Sequence, residues 1–273
     1  MRVLFPTQLQ SNEVSVNGHF GVFNRSLKEI DGEGWVRPPQ TTFPFHKWFG
    51  IWDEKQAQGL AVFSRGLPEY EAYYGENKQK VGLALTLFRS TRRWGSHINV
   101  SNPPVFTPRA QLYGKEMTFE YAIVPLNKKW NDFQEEEEKP LHIRAEEYYT
   151  PLKYEENYDT FRYEYRLGNK DRNLAPNQGL LEISPANIVY SSFKGSEDWI
   201  QGKKQYILRV YNILNKDSKA KVVFQKPVNG IEFLDLKEDK QKYPPDYSFN
   251  EEEGFLEFSI RANQIQTIGL KFR

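Results

Sequence analysis

Apolar and polar residues alternate with a period of two along most of this chain, the spacing of a strand with one face in a core and the other in water. Gly59-Leu60-Ala61-Val62-Phe63-Ser64 reads as such a strand. A turn at Arg65-Gly66-Leu67-Pro68 leads from it to a second, Glu69-Tyr70-Glu71-Ala72-Tyr73. Val81 to Phe88 is nearly continuous in apolar character, which predicts a strand buried on both faces. Thr118 to Val124 alternates again, and Pro125 is expected to end it. In the second half, Phe161 to Arg166 alternates aromatic with charged residues. Gln205 to Tyr211 and Lys219 to Phe224 follow as successive strands around the turn-rich Asn215-Lys216-Asp217-Ser218. Phe255 to Ile260 and Thr267 to Phe272 close the chain. A short helix over Lys129 to Glu138 is the one helical stripe in the pattern.

Many short strands with frequent turn signals predict an all-β fold of antiparallel sandwiches rather than alternating βα units. The polar segment Leu167 to Asn173, just before Pro176, marks a domain boundary. The expected division is a larger sandwich over residues 1–174 and a smaller one over 175–273. The second piece has the usual size of a small sandwich domain, about 100 residues.

Charge and cysteine usage narrow the function classes. The 37 basic and 36 acidic side chains nearly cancel, and basic clusters such as Arg92-Arg93 and Lys203-Lys204 are short. Neither nucleic acid nor an anionic membrane is therefore an expected partner. The chain has no cysteine, which removes disulfides and thiolate chemistry and suits a reducing cytoplasm. The opening residues Met1 to Pro6 are too short an apolar run for a signal peptide. In that setting the sequons at Asn24-Arg25-Ser26 and Asn99-Val100-Ser101 read as chance matches. Aromatic residues make up 15% of the chain. Strand surfaces favour them, and so do sugar-binding proteins, so the figure alone does not separate the two.

Chemistry-bearing residues are sparse. The four histidines, His19, His46, His97 and His142, have no partner at metal-ligand spacing, and ordinary core or surface roles are the simpler reading. Glu69 and Glu71 share one strand face and could supply the two carboxyl groups of a glycosidase, but a solvated strand face is the favoured reading. Glu135 to Glu138 reads as a solvated acidic run. There is no Gly-x-Ser-x-Gly elbow and no phosphate-cradling glycine loop. The segment Phe88 to Ser96 stands apart. It follows a buried strand, carries Arg89, Arg92, Arg93 and Trp94, and enters a Pro-rich connection through Pro103, Pro104 and Pro108. Arginines leaving a core strand beside an aromatic ring can hydrogen-bond sugar hydroxyls or a carboxylate; the plainer alternative is a loop with local ion pairs.

An ordered succession of segments resembles the β-domains of family 38 α-mannosidases, in the bacterial branch. It runs through Arg2 to Thr7, Gly59 to Val62, Arg65 to Glu71, Leu83 to Ser90, Thr107 to Gln111, and Phe119 to Pro125. It continues with Pro185 to Val189, Leu208 to Asn212, and Gln264 to Leu270. Two places depart from the family pattern. Thr91-Arg92-Arg93 precede Trp94 where a glycine and a tryptophan commonly follow the arginine-serine pair, and Leu126 stands where a histidine often does.

The resemblance implies part of a large galactose-mutarotase-like supersandwich, followed by a smaller carboxyl-terminal β-sandwich. It further implies an amino-terminal catalytic domain, carrying the zinc ion, the aspartate nucleophile and the acid/base carboxylate, that does not precede Met1. On this expectation the chain is a non-catalytic scaffold for that domain, without a catalytic or metal-binding residue of its own. Arg89, Arg92 and Trp94 are then its candidate contacts with sugar. The expected partners are the catalytic domain, mannose-containing glycans, and a second copy of the chain. Two other readings stay open. One is a free-standing carbohydrate-binding module. The other is an epimerase- or mutarotase-like enzyme, which needs a histidine and a carboxylate converging in one cleft.

Overall fold

The computed structural model describes residues 1–27, 33–34, 40–75, 80–94, 105–112, 114–133, 139–151, 179–197 and 205–272, without the side chains of Arg93 and Trp94. The chain divides into two compact units, Met1–Asp132 with Leu141–Thr150, and Phe133–Pro140 with Pro151–Arg273. The expected boundary at 174/175 and the strand expected over 161–166 lie outside the described residues. Every pairing between described strands is antiparallel.

The first unit holds β1 (Arg2–Pro6), β2 (Glu13–Asn17), β3 (Val22–Ser26), β4 (Thr42–Pro44), β5 (Trp48–Asp53) and β6 (Gln58–Arg65). After these come β7 (Glu69–Tyr74), β8 (Val81–Thr86), β9 (Arg93–Trp94), β10 (Val105–Phe106), β11 (Glu120–Leu126) and the helix α1 (Leu141–Tyr149). They form a sheet in the order β1-β8-β7-β4, a second in the order β11-β6-β5-β2-β3, and the ribbon β10-β9. The two large sheets pack through one core. Phe5, Tyr70, Leu83 and Leu85 of the first meet Val14, Val16, Phe49, Ile51 and Val62 of the second.

The five-stranded sheet is covered on its other face too. Trp48, Ala61, Phe63 and Val124, each one position out of phase with the residues just named, pack against Leu141 and Ala145 of α1. The Lys47–Glu146 ion pair and a hydrogen bond from Arg65 to the Tyr148 carbonyl (2.5 Å) fasten the helix there.

Two expectations need correction. Pro125 does not end its strand: it pairs with Leu60 inside β11. β11 is an edge strand, so a residue without an N–H costs no ladder bond there. Residues 129–133 form no helix, and the helix of this region begins at Leu141. Its apolar residues Leu141, Ala145 and Tyr148 follow the i, i+4, i+7 spacing that faces a sheet.

The second unit comprises β12 (Leu181–Ser184), β13 (Ile188–Gly195), β14 (Tyr206–Asn212) and β15 (Ser218–Phe224). It ends with β16 (Val228–Leu234), β17 (Tyr247–Asn250), β18 (Phe255–Ile260) and β19 (Ile265–Phe272). Two four-stranded sheets result, β12-β15-β18-β17 and β13-β14-β19-β16. Leu208, Val210, Ile268 and Leu270 of one interdigitate with Ala220, Val222, Leu256 and Phe258 of the other. β14 and β15 are successive but unpaired: the turn at Asn215–Ser218 carries the chain from one sheet to the other.

Candidate functional site

The segment singled out from sequence leaves the end of β8 and runs over the outer face of the β1-β8-β7-β4 sheet. Register places Arg2 opposite Thr86, Glu71 opposite Ala84, and Thr42 opposite Glu71, so these side chains share that face. The small residues Gly82 and Ala84 lie beneath them. Arg2 forms an ion pair with Glu71. Arg89 reaches Glu69 through Nε (3.0 Å) and Nη2 (2.8 Å), and Nη2 also donates to Thr42 Oγ1 (3.2 Å). An open cavity of about 510 Å³ lies beside them, lined by Arg2, Thr86, Phe88 and Arg89 among others.

Arg89 is thus brought to a cavity, with its guanidinium oriented by two neighbouring strands and its side chain 63% exposed. Arg92 is exposed and does not line that cavity. Its carbonyl accepts the Thr107 amide (3.0 Å), and Thr91 O accepts the Thr107 hydroxyl (3.0 Å), which clamps the segment to the chain preceding Pro108. Trp94 pairs with Val105 in the ribbon; its side chain lies outside the described residues.

The Glu69 and Glu71 pair resolves into two ion pairs rather than a facing pair of free carboxyls. Burial pushes the Glu69 carboxyl up, but the nearby Thr86 hydroxyl, the hydrogen bonds from Arg89 and the charges of Arg89 and Arg2 more than reverse this. The group is held below the usual carboxylate range and stays ionised at neutral pH. A carboxylate held this way does not supply the proton that glycoside cleavage requires. What the arrangement offers is donors: Nη1 of Arg89 points no N–H at Glu69 or Thr42, which leaves it for an outside hydroxyl or carboxylate.

Folding also joins two of the dispersed histidines. His19 and His46 stack with ring centroids 4.5 Å apart, and Tyr149 lies 5.7 Å from His46. Burial, Lys47 and His19 lower the pKa of His46, with Glu146 opposing them. The carboxylate nearby, Glu146, is already paired with Lys47. Among the described residues no group of three or more histidine, aspartate or glutamate side chains could hold a metal ion. The acidic run 135–138 lies outside the described residues. No helix of the described residues is long and apolar enough to cross a membrane.

Comparison with known proteins agrees with this architecture. No curated protein matches the chain in sequence. The crystal structure of an alpha-mannosidase from Enterococcus faecalis V583 superposes on 99% of the chain with a TM-score of 0.68 at 19% identity. The chain spans 25% of that protein's length. Residues 187–268, which run from the start of β13 into β19, match the family model described as the glycosyl hydrolases family 38 C-terminal beta sandwich domain. Over residues 187–268 the second unit is therefore similar to that family's carboxyl-terminal β-sandwich domain, and the chain as a whole shares its fold with a quarter-length portion of the Enterococcus faecalis alpha-mannosidase.

Proposed function

We propose that this chain is the non-catalytic β-sandwich part of an α-mannosidase, bracing a zinc-dependent catalytic domain and contributing one wall of its sugar cleft. The observation that carries the reading is the match of nearly the whole chain to a quarter of a larger α-mannosidase. The chemistry of the described residues is in keeping with it. The Glu69 and Glu71 carboxylates are bound by arginines rather than free to act on a glycosidic bond. In this reading zinc, nucleophile and acid/base belong to the catalytic domain, and the working enzyme is cytoplasmic, in keeping with a cysteine-free chain. Residues 1–174 would form the partial supersandwich and 175–273 the terminal sandwich. Arg89, with Arg92 and Trp94 on the same segment, would contact mannoside hydroxyls or a carboxylate of the catalytic domain.

The test is hydrolysis of an aryl α-mannoside with zinc present. The chain alone is expected to release no aryl group. Mixed with the catalytic portion of a family 38 α-mannosidase stripped of its own β-domains, it is expected to co-elute and restore activity. Hydrolysis by the purified chain alone would overturn the reading.

A further inference from the structure

A second, differently built site lies on the outer face of the five-stranded sheet. α1 packs on Trp48, Ala61, Phe63 and Val124 of that face. Farther along it, Gly50 and Trp52 follow Trp48 at two-residue steps, Ser15 lies opposite Gly50, and Asn24 opposite Ser15. Here an open cleft of about 670 Å³ is lined by Trp52, Trp130 and Tyr74 together with Glu13, Ser15 and Asn24. It shares no residue with the cavity beside Arg89.

The aromatic planes are fixed from below. Trp52 pairs across the sheet with Gly59, where a Cβ would come within 2.9 Å of the Trp52 ring carbon Cε3. The indole therefore rests on bare backbone, which any other residue at position 59 would obstruct. Its Nε1 donates to Glu54 Oε2 (3.2 Å), and Glu54 pairs with Lys129, beside Trp130. Trp130 in turn packs on Trp48, 5.8 Å between centroids. The polar edge is ordered too: Ser15 Oγ donates to Asn24 Oδ1 (2.9 Å), and Asn24 Nδ2 to Glu13 Oε1 (2.7 Å).

We propose that this cleft binds a short, neutral oligosaccharide without cleaving it. A pyranose presents an apolar C–H face and a rim of hydroxyls that both donate and accept. It is matched by immobile aromatic planes beside amide, hydroxyl and carboxylate groups of fixed orientation. Charge selects against ionic ligands. Glu13, Asp53 and Glu54 line the cleft with Lys55 and Lys129, and every carboxylate among them already has a partner. Amides of Gln10, Lys55 and Gln56 hold Asp53, and Lys129 and Trp52 hold Glu54, each below its ordinary pKa. Both stay ionised, so neither donates a proton to a glycosidic oxygen. The inference stands on this geometry and does not depend on the function proposed above.

The experiment is titration of the full chain with mannotriose, cellotriose and maltotriose, read by tryptophan fluorescence and by amide chemical shifts. At least one trisaccharide is expected to bind and to shift the amides of β2, β3 and β5. Trp52→Ala should weaken that binding by roughly tenfold, with partial rescue by Trp52→Tyr. Asn24→Ala, on an exposed strand position, should weaken it by roughly threefold. Asn24→Ala carries the test should Trp52→Ala fail to fold. The inference is overturned if none of the three sugars binds, or if folded Trp52→Ala or Asn24→Ala binds as tightly as the parent.

Discussion

Asn212, the last residue of β14, is fully buried, and its amide satisfies four partners at once. Nδ2 donates to the carbonyls of Lys216 (2.7 Å) and Arg261 (3.1 Å); Oδ1 accepts from Asn187 Nδ2 (2.9 Å) and from the Leu214 amide (3.1 Å). One side chain thereby ties together the crossover into β15, the turn between β18 and β19, and the entry to β13. In Asn212→Ala the two carbonyls, on exposed turn residues, can turn to water. The Asn187 amide and the Leu214 N–H are buried and cannot. Each orphaned buried donor costs about 1–3 kcal/mol, so the pair should cost about 4 kcal/mol. That is a large part of the stability of an ordinary domain, roughly 5–15 kcal/mol. With a urea slope of about 2 kcal/mol/M, the midpoint followed by hydrogen exchange of the β14 amides should fall by about 2 M. Asn212→Asp sharpens the test. It keeps both acceptor roles but sets an oxygen against two carbonyl oxygens, which raises the carboxyl's folded pKa above its unfolded value. The folded state then holds the proton more tightly, so the Asp variant should gain stability as pH falls and the Ala variant should not. A loss below about 1 kcal/mol in Asn212→Ala would refute the claim that this amide organises the second sandwich.

Three further outcomes follow from other sites. The folded pKa of His46 lies below its ordinary value, so its contribution to stability is complete above about pH 6.5 and is lost as pH falls below that; His46→Gln should flatten the urea midpoint between pH 7.5 and 5. For Glu238, burial raises the pKa, but Lys194 (2.5 Å), the Glu197 amide and Arg209 outweigh it and hold the carboxylate low. Its contribution is present above the ordinary glutamate range and disappears as pH falls through the depressed folded value. Glu238→Gln should cost about 1–2 kcal/mol at pH 7 in a thermal melt and reduce acid sensitivity. Gly59→Ala would set a methyl 2.6 Å from the Ile51 carbonyl and against Trp52; it should cost about 2 kcal/mol and shift the tryptophan emission.

Strands with one wet face were readable from sequence because alternation survives in them. β7 and β18 show it: Glu69, Glu71 and Glu257 are partly open while Tyr70, Leu256 and Phe258 are buried. β8 was readable for the opposite reason, as an unbroken apolar run buried at all six positions. β5 is buried on both faces as well, but two tryptophans, a glycine and a terminal aspartate interrupt the run, and nothing local marks it as central. A helix is expected from Lys129, but over 129–133 Trp130 instead packs on Trp48 of the sheet. The true helix offers only Leu141, Ala145 and Tyr148 to the sheet, a thin stripe among charged residues. Pro125 misled because a proline's meaning depends on whether its strand lies at an edge, and sheet order is not written locally.

The same distinction separates the two candidate sites. Arg89 could be picked out because its signal is sequential: a buried strand ends and basic residues begin. What it touches, Glu69 and Thr42, comes from β7 and β4 through the register of the sheet, and that register turns a free-looking arginine into an anchored one. The cleft at Trp52 left a trace in the spacing of Trp48, Gly50 and Trp52, with Gly59 a turn away. Read alone, that spacing shows only that these residues share a face. Whether the face is core or surface depends on how far a nine-residue helix reaches, and α1 packs on Trp48 but not on Trp52. A helix extended by a turn or two would have made the Trp52 face an ordinary second core, so the length of α1 decides whether those rings pack the interior or meet a ligand.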